Sequence, residues 1–155
     1  MLKRIFCLMI ALCLCAACAC ADEAGSTFTL RFEDGFSLSL PEGWVSYPVR
    51  EPGIRYALGD GTGEHFLYIL AQPTSMRTFE EMQSAVEASE ACGRTSALDL
   101  NGQPFAAFIA PELNASGCVT LWGGNVLTFL FTPQDDSTYM LTVAEIMASF
   151  HKEGE

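Results

Sequence analysis

This sequence predicts an α+β domain, an antiparallel sheet of about seven strands with helices packed on its faces. Three observations point there. Phe28-Thr29-Leu30-Arg31-Phe32 and Phe36-Ser37-Leu38-Ser39-Leu40 alternate apolar and polar residues, the period of half-buried strands. Short apolar runs further along are separated by tight-turn signals, among them Asn101-Gly102 and Gly123-Gly124-Asn125. Two longer segments place apolar residues at helical spacing, each behind a polar cap.

The chain opens on a signal of another kind. Met1-Leu2-Lys3-Arg4 is basic, Ile5 to Ala21 is uncharged, and Asp22-Glu23 is the first acidic pair. That order of basic, apolar, small and polar residues predicts an export leader over residues 1–21. Two processing routes fit. Ala19-Cys20-Ala21 offers a small-x-small cleavage site that would release a soluble domain. Alternatively Cys18 or Cys20 is the lipid-modified first residue of a bacterial lipoprotein, although neither is preceded by the usual leucine three places back. The apolar run is slightly shorter than the ~20 residues a spanning helix needs. Five of the seven cysteines (Cys7, Cys13, Cys15, Cys18 and Cys20) lie in this segment. A metal cluster there would need thiolates held in a folded frame, which an apolar leader lacks. The protein is therefore expected outside the cytoplasm, extracellular or lipid-anchored on the outer face of the cytoplasmic membrane.

Residues 22–27 read as a short polar tether and residues 28–152 as one domain, a length that supports a real core. With 8 basic against 19 acidic residues, the formal charge is −11. Such a surface repels nucleic acid and anionic headgroups, and suits solubility or a basic partner.

In the first hairpin, a two-residue turn at Asp34-Gly35 would split the apolar face. A three-residue loop Glu33-Asp34-Gly35 with Gly35 left-handed instead pairs Phe32 with Phe36, Leu30 with Leu38 and Phe28 with Leu40. Pro41-Glu42-Gly43-Trp44 ends the hairpin with a turn and a large anchor. Val45 to Gly53, with Pro48 and Pro52, reads as an irregular crossing. Ile54 to Leu58 and His65 to Ala71 are strands joined by the glycine-rich turn Gly59 to Gly63. Thr78-x-x-Glu81 is a capping box opening a helix whose apolar face is Phe79, Met82, Ala85 and Val86, with Gly93 as its stop. Thr95 to Leu100 and Phe105 to Ala110 form a hairpin about Asn101-Gly102. Cys118 to Trp122 is a strand, and Val126 to Thr132 is nearly all apolar, so it is placed centrally with both faces covered. A last helix follows Pro133 to Ser137, with Met140, Val143, Ile146, Met147 and Phe150 on one face and His151 and Lys152 at its C-terminus.

Taken together, an early strand ending in Leu40-Pro41-Glu42-Gly43-Trp44, a mid-chain capped helix Thr78-Phe79-Glu80-Glu81-Met82, the Asn101-Gly102 meander and a closing Ala144 to Phe150 segment resemble the PsbP-like fold. The resemblance spans roughly Phe28 to Phe150. It implies an α/β/α sandwich and a non-enzymatic accessory role, and it carries over no site residues.

Catalytic and ligand-binding patterns are sparse. His65 or His151 could pair with Cys92 or Cys118 as a thiol nucleophile, but no local signature surrounds them. Gly59-x-Gly61-x-Gly63 lies between strands among acidic residues, unlike a phosphate cradle. Asp60, Thr62 and Glu64 alternate like calcium-loop ligands but lack a distal bidentate Glu. Asp135-Asp136 reads as a helix cap. Asn114-Ala115-Ser116 is a formal sequon. In an exported domain the pair Cys92 and Cys118 is a disulfide candidate, closing a loop of about 27 residues worth roughly 3.5 kcal/mol. Trp44, Tyr47, Tyr56 and Tyr68 flank the early hairpins and are a candidate binding patch. No catalytic residue, cofactor or metal is expected. The function expected is a monomeric binding or accessory protein with a macromolecular partner at the cell envelope. A small-ligand carrier with a closed apolar pocket, or a thiol-dependent hydrolase or redox protein, are the alternatives.

Overall fold

Two antiparallel sheets share one hydrophobic core in the computed structural model, which describes residues 26–154. The leader, with Cys18 and Cys20, lies outside the described residues. The first hairpin joins β1 (Thr27–Phe32) to β2 (Phe36–Pro41) in the expected register, with Phe32 opposite Phe36, Leu30 opposite Leu38 and Phe28 opposite Leu40. Gly35 has φ +84°, the left-handed turn position that the three-residue loop requires.

The chain then builds the main sheet from β3 (Val45–Tyr47), β4 (Ile54–Gly59), β5 (Phe66–Pro73), β6 (Thr95–Leu100), β7 (Gln103–Ala110), β8 (Ala115–Trp122) and β9 (Asn125–Thr132). Its spatial order is β3-β4-β5-β9-β8-β7-β6. The most apolar strand, β9, is central as expected. Only one of its faces is fully buried, through Leu127, Phe129 and Phe131, while Leu130 on the other is half-buried.

Helix α1 (Phe79–Glu87) starts at the Thr78 capping box, whose two reciprocal hydrogen bonds are both made. It ends at Ala88 rather than at Gly93, whose amide instead donates to the Ile109 carbonyl at 2.7 Å. Helix α2 (Ser137–Ala148) is capped by Asp136, whose carboxylate accepts from the Thr138 and Tyr139 amides.

Three elements differ from expectation. Val45 to Tyr47 is an edge strand rather than part of an irregular crossing, because it precedes Pro48 and can pair Tyr47 with Ala57. The last helix stops before Phe150. Ser149 caps it, accepts from the Ser39 amide at 2.7 Å, and directs Phe150 into the core. His151–Lys152 then forms β10, paired with Ser37 and Phe36, so the first hairpin belongs to a separate three-stranded sheet, β1-β2-β10.

The core lies between the main sheet on one side and the small sheet with α2 on the other. Phe36, Phe105, Phe129 and Phe150 are fully buried there, with Phe150 ringed by Phe36 at 5.6 Å, Phe105 at 5.1 Å and Trp122 at 5.5 Å. Helix α1 covers the opposite face of the main sheet, mainly over β6, β7 and β8, where Met82 sits on Ala106 and Val119.

Candidate functional site: a bare aromatic sheet face beside an acidic end

Strand alternation decides where each predicted site residue falls. The register runs a continuous row across six strands of the main sheet: Phe108, Gly117, Leu130, Tyr68, Ala57 and Tyr47. This row lies on the face that carries α1, which packs mainly over β6, β7 and β8 and reaches β9 at Val126. Tyr47, Phe66, Tyr68 and Leu130 are half-buried there, and Val45 beside them is 46% exposed.

Two glycines let the rings lie flat on the sheet. A Cβ on Gly117 would sit 2.5 Å from the Phe108 ring, and one on Gly59 would sit 3.0 Å from Tyr47 and 3.2 Å from Phe66. The Phe66 and Tyr68 rings stack at 5.9 Å with 14° between their planes, and Tyr47 meets Phe66 at 5.6 Å.

The predicted four-residue patch is therefore divided. Tyr47 and Tyr68 are brought together through Phe66. Trp44 is buried against Tyr139, their rings 6.5 Å apart, and belongs to the core. Tyr56 points to the core face, edge-on to Phe32 at 4.8 Å, with its hydroxyl donating to Asp34 at 2.9 Å. Burial, then that hydrogen bond, raises its pKa. Phe66 and Leu130 join the patch instead, a grouping that follows from the β5-β9 pairing.

At the end of the sheet, on the side of α2, lies a cluster that the sequence gives no pattern for. His65 Nδ1 is 2.6 Å from Asp60 Oδ2 and its Nε2 is 3.2 Å from Asp136 Oδ2, while its ring lies 4.4 Å from that of Tyr139. Both ring nitrogens face carboxylates, so satisfying both contacts requires a proton on each, and the arrangement selects the imidazolium. The bond to Asp60 is the main reason the His65 pKa is raised, with burial opposing and Asp136 adding to it. Burial would raise the Asp60 carboxyl, but hydrogen bonds from His65 and Thr62 outweigh it and bring it down to about 2. The Tyr139 amide, then His65, lowers Asp136. Thus the Gly59–Gly63 turn is an Asx-type loop clasped to the start of α2, with Asp60 accepting from the Thr62 amide and hydroxyl.

The hydroxyls beside the clasp are engaged: that of Thr62 donates to Asp60 at 2.8 Å. Tyr139 donates its hydroxyl to the Phe66 carbonyl at 2.7 Å, and its pKa is raised by burial. Cys118 is buried and its thiol is pushed up to about 12 by burial. Cys92 and Cys118 are both free in the structure, so the candidate bridge is not formed. Cys118 points into the main core, whereas Cys92 lies in the turn after α1, the helix on the opposite face. His151 sits on the small sheet. Among the described residues no group of three or more His, Cys, Asp or Glu side chains is arranged to hold a metal ion.

Shallow hollows open at the surface of the described residues. One of about 180 Å³ lies among Thr74, Met76, Arg77 and the Leu121–Asn125 turn. Another, an open groove of about 430 Å³, is lined by Glu64, His65, Pro133, Asp135 and Asp136. Neither lies between the main sheet and α2, where the carrier alternative would place its pocket. Bulky aromatic side chains fill that space.

An antiparallel sheet backed by a small second sheet and a terminal helix, with another helix on its outer face, defines an α+β sandwich. It is the PsbP-like fold. The chain superposes on the solution structure of cyanobacterial PsbP from Synechocystis with a TM-score of 0.58 and 19% identity, covering 85% of this chain and 95% of that one. It is also similar to a crystal structure from Bacteroides thetaiotaomicron, with a TM-score of 0.52 and 12% identity, spanning 86% of this chain but only 50% of that one. The sequence matches no protein-family profile and no curated protein.

Proposed function

We propose that this is an exported, non-enzymatic binding or accessory protein that engages a macromolecular partner at the cell envelope through the bare part of its main sheet. The observation that carries this reading is the half-buried aromatic group of Tyr47, Phe66 and Tyr68, continued by Leu130, on the sheet face beyond the strands that α1 mainly contacts. Apolar side chains gathered on a rigid, exposed sheet are the usual composition of a recognition surface. The fold likeness to an accessory protein agrees with it, as does the engagement of both His65 nitrogens by carboxylates. Among the described residues no helix is long and apolar enough to cross a membrane. In this reading attachment comes through the leader or a lipid on Cys18 or Cys20.

The test is partner capture by the mature protein against its Phe66→Ser/Tyr68→Ser variant at equal melting temperature. Loss of the same partner in the variant supports the reading, and unchanged capture overturns it. Intact mass of the mature protein decides the processing route, separating a diacylated cysteine from a clean cut after Ala21.

A further inference from the structure

We infer that the occupant of this face is a cationic polypeptide segment of another protein, its Lys or Arg stems lying along Phe66 and Tyr68. The inference rests on the reading just given and names the chemistry of the partner.

Charge distribution selects that occupant. The acidic excess, 19 against 8, is not spread evenly. Phe66 opens β5 at the end of the sheet where the turns at residues 41–44, 60–65, 111–114 and 133–136 converge. Those turns carry Glu42, Asp60, Glu64, Glu112, Asp135 and Asp136, and their one cationic group is His65. The charge of His65 is already taken by Asp60 and Asp136. Glu42, Glu64, Glu112 and Asp135 are exposed.

Arg94 shares that end of the sheet but precedes β6, the edge strand four places from β5, and the other cations lie elsewhere. Arg50, Arg55 and Arg77 sit toward the opposite end of the sheet, and Arg55 is held by Asp34 at 3.2 Å. Arg31 and Lys152 are on the small sheet. A segment crossing the aromatic face thus meets π-faces along its path and carboxylates at one end. Lys and Arg satisfy both, with the alkyl stem on the ring and the charged head in water near Glu64 or Asp135. An anionic segment would meet repulsion at the same place.

The probes are two synthetic peptides of equal length, one alternating Leu with Arg and the other Leu with Glu, titrated into isotopically labelled mature protein. Binding of the Arg peptide alone is expected, with amide shifts concentrated in β3, β5 and β9. Raising the salt tenfold should weaken it roughly tenfold, and Glu64→Gln/Asp135→Asn should do the same. Equal binding of the Glu peptide, shifts centred elsewhere, or unchanged affinity in the Gln/Asn variant would overturn the inference. The two ideas fail separately. If Tyr68→Ser abolishes partner capture while salt and the Gln/Asn variant leave it intact, the cationic occupant falls and the recognition face stands. If Tyr68→Ser leaves capture unchanged, the face itself falls.

Discussion

At the scale of single residues, His65 links pH to stability. Its pKa in the folded protein is raised above the ordinary 6.5, so its contribution is complete below 6.5 and fades as pH climbs through the raised value. Asp60 works in the other direction. Lowered from 3.8 to about 2, it stabilises above 3.8 and is lost as pH falls toward 2. Glu64 and Asp135 line the groove beside this pair, Asp136 completes it, and Tyr139 lies under the ring. The melting-temperature gap between the native protein and His65→Gln should therefore be widest between about pH 4 and 6.5 and shrink by pH 9. A gap independent of pH would rule this out. Cys118 makes a second residue-level prediction. Its buried thiol should resist alkylation at pH 8 until the protein is unfolded, as read by mass spectrometry, whereas labelling of the native state would reopen a thiol chemistry.

At the scale of elements, the strands and helices were largely legible in the sequence. Alternation and turn chemistry gave the register of the first hairpin, and the capping box gave the start of α1. Three contributions were not legible, because each depends on residues distant in sequence. Phe150 continues the apolar spacing of α2, yet the Ser149 contact with Ser39 ends the helix and turns Phe150 inward. His65 has an unremarkable local context and gains its meaning from Asp136 across the fold. Tyr56 is turned to the core by its pairing with Ile69, and Trp44, just before β3, packs on Tyr139 from a distant helix. Gly59 and Gly117 were the available clue to the aromatic face, since glycine inside a strand marks a close approach.

Two variants test these elements. Phe150→Ala should cost about 3–5 kcal/mol in denaturant unfolding, because it empties the centre of the aromatic cluster. A cost below about 1 kcal/mol would place Phe150 outside the core. Gly117→Ala should cost about 1–3 kcal/mol, since its methyl occupies the position of the Phe108 ring. Gly117→Ala/Phe108→Ala should recover part of that loss if the clash is the cause.

At the scale of the whole molecule, both sheets and α2 draw on the same core, so they should unfold together. Two tryptophans report on opposite ends: Trp44 packs on Tyr139, and Trp122 donates its indole N–H to the Asp34 carbonyl at 2.7 Å. Fluorescence of Trp44→Phe and Trp122→Phe variants should give midpoints that coincide with each other and with far-UV circular dichroism. Separate midpoints would show the small sheet to be an independent unit.

The pairing of β10 with β2 bears on how the chain acquires its shape. Phe36 enters the cluster from near the start of the domain and Phe150 from near its end, and the last strand closes on the second. During synthesis the polypeptide cannot finish this aromatic centre until the residues around 150 have left the ribosome. Until then it lacks the contacts that make folding cooperative. Such late closure would keep a nascent chain threadable, as the export proposed for it would demand.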